Sequence, residues 1–283
     1  MTTIGYLGPK GTFTKLAVDT AFNQEKKKSY KTIPECIDAI SMDEIEIGVV
    51  PLENAIEGTV QLTVDYLIHQ VRLPVAAEIV VPIQQHLLVR KDFDGDLRDI
   101  REVHSHSHAI AQCHQYIHQH LTNATIKYTT STGKAAELVS ESGESIAAIG
   151  NKLAASEYDL KILEENVHDY PNNHTRFLVL TKNEDLVKIN HEVLSEKTTL
   201  MITLPSDQAG ALHQILSAFA WRKMNLSKIE SRPTKTGLGN YFFMIDVEQA
   251  YDDVLFPGVQ AELEALGCNV SVLGTYPVYH LNI

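Results

Sequence analysis

Asn173-His174-Thr175-Arg176-Phe177-Leu178-Val179-Leu180 sets a hydroxyl, a permanent cation and an aromatic ring on consecutive residues and then runs straight into apolar side chains. The run from Phe177 to Leu180 reads as a buried strand. A short polar segment that opens such a strand is where α/β proteins aim side chains into a cleft. A substrate that needs both proton donation and charge neutralisation would be served by a threonine and an arginine placed there. A strand start with a surface arginine accounts for the same residues when they are taken alone.

On the N-terminal side of this strand, strand and helix patterns alternate. Ile4 to Gly8 reads as a strand, Thr12 to Phe22 as a helix, and Lys26-Lys27-Lys28 as a solvated helix end or loop before a weak strand near Tyr30. A helix starts at Pro34, where proline suits the first turn. Ile45 to Val50 is a strand and Thr59 to His69 a helix. Val75 to Val89 is too long for one ordinary strand and carries Pro82, so it reads as a segment crossing between lobes. A second set follows: a strand near Val103, a helix from His108 to Leu121, a strand from Thr125 to Thr129, a helix from Thr132, a strand from Ser145 to Ile149, a short helix from Asn151 to Tyr158 and extended chain from Lys161 to Val167. The chain returns through Tyr170-Pro171 to Thr175. This is a two-lobed α/β region with a double crossover and, from the alternation, largely parallel sheets. The cleft between the lobes is the expected ligand site.

Residues 1–182 are expected to form this region, with lobe 1 at about 1–78 and 170–182 and lobe 2 at about 79–169. Lys182 to Lys197 is polar without a clear period, and 183–197 is read as a linker. Residues 198–283 form a separate pattern of about 85 residues. A strand from Thr198, a helix from Gly210 to Lys223, strands Leu226–Ser231 and Tyr241–Val247, a helix from Pro257 and a strand from Val270 give a ferredoxin-like βαββαβ order.

Composition narrows the function. The chain of 283 residues has a net charge of -12, which argues against nucleic acid or an anionic membrane as the main partner. An anionic ligand must therefore be attracted locally. The 3 cysteines, Cys36, Cys113 and Cys268, lie far apart and suggest neither a disulfide framework nor a zinc ribbon. No signal-like segment opens the sequence and no apolar run approaches a membrane span of about 18 residues. The expected location is the cytoplasm.

Several polar strand ends carry candidate chemistry. Gly8-Pro9-Lys10-Gly11-Thr12-Phe13-Thr14 joins the first strand to the first helix, with Thr12 or Thr14 as cap and backbone N–H groups exposed to an anion. It is neither GxGxxG nor a P-loop. Ser131-Thr132-Gly133 repeats the device in the second lobe, and two helix N-termini facing one cleft suit a dicarboxylate. Pro51 to Val60 holds Glu53, Asn54 and Glu57. Either glutamate could act as acid or base if burial raised its pKa. An ordering role is favoured for Glu57, with Glu53 and Asn54 as cleft candidates. His104-Ser105-His106-Ser107-His108 spaces three imidazoles for one strand face. With 13 histidines in the chain chance clusters are expected, so Ser105 and His106 are read as cleft residues and no metal site is assigned. No nucleophile elbow is present, and Cys36 and Cys113 fall in helical core patterns.

Taken in order, Gly8 to Thr14, Pro51 to Val60, Ser131 to Ala136 and Asn173 to Phe177 resemble the motifs of the prephenate dehydratase family. Gly210-Ala211-Leu212 and Glu230-Ser231-Arg232-Pro233 resemble its regulatory ACT domain. The resemblance covers nearly the whole sequence and starts directly at the dehydratase pattern, which implies a monofunctional enzyme without a chorismate mutase domain. It implies a periplasmic-binding-protein-like catalytic region followed by the ferredoxin-like ACT domain. The activity it implies is the decarboxylating dehydration of prephenate to phenylpyruvate, with no cofactor or metal. Thr175 is then the essential hydroxyl. Arg176 either supplies charge to a carboxylate or anchors the lobes as an ion pair, because on a regular strand it faces away from Thr175 and Phe177. Phe177 walls the ring site or packs in the core, and Asn173 is a polar contact. The expected binding set is Thr12, Phe13, Glu53, Asn54, Ser105, His106, Ser131, Thr132, Asn173, Arg176 and Phe177.

The ACT resemblance further implies L-phenylalanine as effector near Gly210, Ala211, Leu212, Glu230, Ser231, Arg232 and Pro233, at a contact between two modules, hence a dimer or tetramer. Four positions depart from the family pattern: Ala55 stands for a common Ser, Gly133 for a common Ala and Ser107-His108 for a frequent Pro-Gln. Alternatives are an arogenate dehydratase, a non-enzymatic two-lobed solute sensor and a metal-dependent lyase using the histidine cluster.

Overall fold

The computed structural model describes residues 2–206, 208–233 and 241–281; residues 234–240, within the expected C-terminal module, lie outside the described residues. The chain forms two compact units, Met1–Leu73 with Ile79–His191 and Leu281–Ile283, and Pro74–Glu78 with Glu192–His280.

In the first unit, β1 (Thr3–Leu7), α1 (Phe13–Ala21), β2 (Lys26–Tyr30), α2 (Ile33–Ser41), β3 (Ile47–Asn54), the short β4 (Gly58–Thr59) and α3 (Gln61–His69) come first, followed by β5 (Val75–Pro82), whose opening residues through Glu78 belong to the second unit. The chain then crosses to β6 (His86–Arg90), β7 (Glu102–Ser105), α4 (Ser107–Gln112), α5 (His114–His120), β8 (Thr125–Tyr128), α6 (Thr132–Glu141), β9 (Ile146–Gly150), α7 (Lys152–Glu157) and β10 (Leu160–Glu164), and returns as β11 (His174–Thr181). The double crossover is pinned where the two crossing segments meet, by the Ile83 N–H donating to the Asn173 carbonyl at 2.8 Å.

The helices form where the sequence supplies both a cap and an apolar stripe. Thr12 accepts from the Lys15 N–H, and α1 buries Thr14, Ala17, Val18 and Ala21 along one face. Thr32 caps α2, with proline in its first turn, over a buried stripe that includes Ile33, Cys36, Ile37 and Ile40.

The sheets are mixed rather than largely parallel. β1 runs parallel to β2 and β3, and β7 parallel to β8 and β9, as alternation demands. However, β11 is antiparallel to β3, and β6 is antiparallel to both β9 and β10. Strands next to a crossover re-enter their sheet from the far end, which reverses their direction. Lys26-Lys27-Lys28 is likewise not a loop. It opens the edge strand β2, where lysines keep an exposed edge from pairing with another chain. The helix expected from His108 to Leu121 breaks at Cys113 into α4 and α5.

The second unit holds β12 (Val193–Thr203), α8 (Ala211–Ala220), β13 (Leu226–Pro233), β14 (Tyr241–Val247), α9 (Leu255–Ala265) and β15 (Asn269–His280), the βαββαβ order. Its strands lie β13-β14-β12-β15, all pairs antiparallel. Leu200, Ile202, Ile215, Phe219, Ile245 and Leu263 join both helices to the sheet in one core. Full burial of side chains of this size is worth about 1.5–3 kcal/mol each. The span read as a linker contains a 3-10 turn, Glu184–Leu186, and the first residues of β12.

Candidate active site

The pairing of β3 with β11 decides where the polar residues point. Thr175 lies opposite Asn54 and Arg176 opposite Glu53, and the register then shifts so that Phe177 meets Pro51. Alternation along β11 sends Thr175 and Phe177 to one side, where both line a cleft of about 580 Å³ between the lobes. Arg176 goes to the other side, and its Nη1 donates to Glu53 at 2.7 Å. Neither Arg176 nor Glu53 is among the residues that line the cleft. Of the two roles open to Arg176, the geometry favours the ion pair, and Glu53 goes with it.

Asn54 and Thr175 form the centre. The Asn54 Oδ1 accepts the backbone N–H groups of Ile56 and Glu57 at 3.0 and 3.1 Å. With that oxygen occupied, Nδ2 must face the other way, where it donates to Thr175 Oγ1 at 2.9 Å and to Asn173 Oδ1 at 2.9 Å. The threonine oxygen is thereby an acceptor toward Asn54, and its own proton is directed elsewhere. Thr175 is only 8% exposed, so little water competes for that proton. Asn173 is buried and holds Asn54, but it does not line the cleft.

Three helix starts border the same space. Thr12 and Phe13 line it at the start of α1, Ser131 and Thr132 at the start of α6, and His106 at the start of α4. Ser131 Oγ accepts from the Lys134 N–H at 3.0 Å. These caps leave other first-turn N–H groups to face an anion. His106 Nδ1 accepts from the His108 N–H at 3.4 Å, which assigns the Nε2–H tautomer. Burial pushes the His106 pKa below its ordinary value and His108 adds to this, with Glu57 opposing. His106 is thus a neutral donor at pH 7.

The histidine motif does not converge. His104 pairs with Glu102 at 2.8 Å, whereas His108 reaches Glu57 at 3.7 Å. Among the described residues no group of three or more His, Cys, Asp or Glu is placed to hold a metal ion. Ser105, expected in the cleft, is fully buried and donates to the Ile149 carbonyl instead. Burial pushes the Cys36 thiol up to about 12 and the Cys113 thiol up as well, so neither is a nucleophile near neutral pH.

The lobes also meet tightly at Gly133. A Cβ on this residue would lie 2.2 Å from the Lys10 carbonyl oxygen of the facing loop. Sequence reasoning missed Gln85 and Gln112, both buried and both lining the cleft. No local signal marks them: Gln85 lies within the polar run Gln84-Gln85-His86, and Gln112 follows the exposed Ala111.

In the second unit, Gly210 starts α8 in the left-handed region at φ 86°, a conformation that favours glycine. Ala211 and Leu212 form the first turn of that helix, and Glu230, Ser231, Arg232 and Pro233 end β13.

Fold and cleft define a two-lobed α/β catalytic region joined to a ferredoxin-like module. A family model for prephenate dehydratase matches residues 4–185, and one for the ACT domain matches residues 198–253. The prephenate dehydratase of Bacillus subtilis (strain 168) is 53% identical over 283 residues, covering 98% of this chain and 99% of that protein. A crystal structure of prephenate dehydratase from Arthrobacter aurescens in complex with L-Phe aligns with TM-score 0.85 at 33% identity, covering 97% of this chain and 90% of the other. A structure described as a novel type of quorum-quenching acylase aligns with TM-score 0.83 at 26% identity, over 98% of each chain. The chain belongs to the prephenate dehydratase family.

Proposed function

We propose that this protein catalyses the decarboxylating dehydration of prephenate to phenylpyruvate, a carbon–oxygen lyase reaction that serves L-phenylalanine biosynthesis. The fold alone does not select the activity, since a quorum-quenching acylase shares it. The observation that carries the reading is the Asn54–Thr175 hydrogen bond, which aims the threonine proton away from Asn54 at a cleft-lining position.

The chemistry asks for little else. The carbon–oxygen bond of the ring hydroxyl breaks, and its electron pair leaves with the oxygen. A proton passed through Thr175 makes that oxygen a departing water. The ring carboxylate leaves as carbon dioxide, and its bonding pair closes the aromatic ring, which supplies much of the driving force. An unperturbed threonine is too weak an acid to act alone, so Thr175 acts as an oriented donor that is reprotonated from solvent. The helix starts at Thr12–Phe13 and Ser131–Thr132 hold the two carboxylates, and the neutral His106 donates a further hydrogen bond. Phe177 walls the ring. Asn173 steadies Asn54, and the Glu53–Arg176 pair fastens β3 to β11.

In this reading residues 1–182 are the catalytic region and 198–283 the regulatory module. L-Phenylalanine binds near Gly210–Leu212 and Glu230–Pro233 where two modules meet, and it biases the lobes of a dimer or tetramer. The Arthrobacter relative crystallised with L-Phe supports this assignment. The cytoplasm is the compartment that fits a biosynthetic role, and no described helix is long and apolar enough to cross a membrane.

The test is to incubate the protein with prephenate and follow phenylpyruvate, with and without L-phenylalanine. Binding of prephenate without turnover would favour a solute sensor, and preference for arogenate would move the substrate. Gly210→Val in the full chain is expected to blunt the phenylalanine response while basal turnover persists. An unchanged response would remove the sensor from that loop.

A further inference from the structure

The floor of the cleft, at the crossover between the lobes, holds a carboxamide that the reaction as described does not use. Gln85 is 2% exposed and lines the cleft, yet its Oε1 is fully buried without a hydrogen-bond partner. Its other end is assigned by a neighbour: Nε2 donates to Gln112 Oε1 at 3.4 Å, which turns Oε1 away from that partner. The backbone around it is fixed. The Gln85 N–H donates to His168 Nδ1 at 3.3 Å, and the Gln85 carbonyl accepts from the Val167 N–H at 2.8 Å. Two residues earlier, Ile83 is bonded to Asn173, itself two residues before Thr175. Gln85 thus sits on the segment whose backbone is bonded to the chain leading into Thr175, and both residues line the same cleft.

A buried acceptor without a donor is a cost to the fold, and such costs persist where a ligand relieves them. The chemistry of the substrate then decides which group does so. Ionised prephenate offers two carboxylates, a ketone and one hydroxyl. All of these accept hydrogen bonds, and only the ring hydroxyl carries a hydrogen to donate. Resting on the function proposed above, we infer that Gln85 Oε1 accepts the hydrogen of the ring hydroxyl and so selects substrates that carry it.

The consequence is orientation. With its hydrogen held by Gln85, the hydroxyl oxygen turns a lone pair toward Thr175. When the carbon–oxygen bond breaks, that oxygen takes the bonding pair and the threonine proton. Water departs still carrying the hydrogen bonded to Gln85. Thr175 drives the step, and Gln85 sets the angle at which its proton arrives.

Gln85→Met tests this in the full chain, because methionine keeps the length of the side chain and removes the acceptor. Three quantities are read: kcat/KM for prephenate, affinity for phenylpyruvate by titration calorimetry, and melting temperature. Phenylpyruvate lacks the ring hydroxyl and so serves as the control ligand. The expected result is a loss of about tenfold in kcat/KM, with phenylpyruvate affinity within about twofold of wild type and a melting temperature close to wild type, since relief of the buried acceptor offsets loss of the donor to Gln112. Should Gln85→Met not fold, Gln85→Asn withdraws the same amide by one methylene and is expected to show the same selective loss. Turnover within about twofold of wild type, or a parallel loss for prephenate and phenylpyruvate, overturns the inference. The proposed function stands or falls separately, on whether wild type turns over prephenate at all; if it does not, this inference goes with it.

Discussion

Asn54 and Thr175 face each other across the β3–β11 pair, joined by an amide-to-hydroxyl hydrogen bond of 2.9 Å. The hairpin that follows Asn54 occupies its amide oxygen, so the direction of this bond is set by backbone donors and not by the threonine. Asn54→Asp reverses the polarity at one stroke: a carboxylate oxygen replaces Nδ2 and takes the proton that, in the proposed mechanism, Thr175 gives to substrate. We expect kcat to fall by about a hundredfold or more, with a smaller loss for Asn54→Ala, which merely frees the hydroxyl. Steady-state kinetics on both variants check the order, and an Asp variant more active than Ala contradicts it.

The Glu53–Arg176 ion pair points away from the cleft, so on the proposed role its removal should be felt in stability before binding. Its side chains are 26% and 16% exposed, which puts it between a surface pair and a buried one. Arg176→Met is expected to cost about 1–3 kcal/mol in denaturant unfolding, and Glu53→Gln in that background little more. KM for prephenate should change by less than about threefold. A KM rise of a hundredfold with intact stability would return Arg176 to the substrate.

Gly133 sets how closely the lobes approach. An added methyl would meet the Lys10 carbonyl oxygen at 2.2 Å, and backbone cannot step aside as a flexible side chain would. Gly133→Ala is expected to hold the cleft wider, raising KM several-fold (~1 kcal/mol), while the favourable helix propensity of alanine keeps melting near wild type. An unchanged KM would show that the lobes do not close on this contact.

His86 gives the protein an acid-sensitive core. The ring is 1% exposed, and its Nδ1 accepts from the Asn166 N–H at 3.1 Å, which requires the neutral form. Burial, reinforced by Lys152 and His168 and opposed by Glu165, lowers its pKa to about 4 from an ordinary 6.5. Between these values the unfolded chain binds a proton that the native state does not. Stability from this group is therefore complete above pH 6.5, declines as pH falls and levels off near pH 4. The full effect is up to about 3 kcal/mol. Denaturant unfolding at pH 7.5 and 4.5 should show the decline in wild type and less of it in His86→Gln.

Much of this was legible in the sequence. Capped helix starts at Thr12 and Ser131, and the apolar run after Arg176, carry local signals of fixed period, and the structure keeps them. The faces of β11 also followed from alternation, which is why the pointing of Arg176 away from Thr175 was foreseeable. What was not legible depends on contacts distant in the chain. Strand direction at the crossover is set by re-entry into a sheet, which leaves no periodic trace. Ser105 looks like a cleft residue until Ile149 supplies its partner. Gln85 and Gln112 carry no motif, since a glutamine in a loop or helix means nothing until burial in the cleft, and for Gln85 an unpaired oxygen, single it out.

Turnover of prephenate by wild type and by Thr175→Ala, with folding verified by circular dichroism, isolates the contribution of the hydroxyl. A loss of about a thousandfold or more in kcat is expected, with prephenate affinity largely kept, because in the proposed mechanism the helix starts and not the hydroxyl hold the carboxylates. A loss of less than about tenfold would mean that the proton reaches the leaving oxygen by another route, and the role given to Thr175 would be wrong.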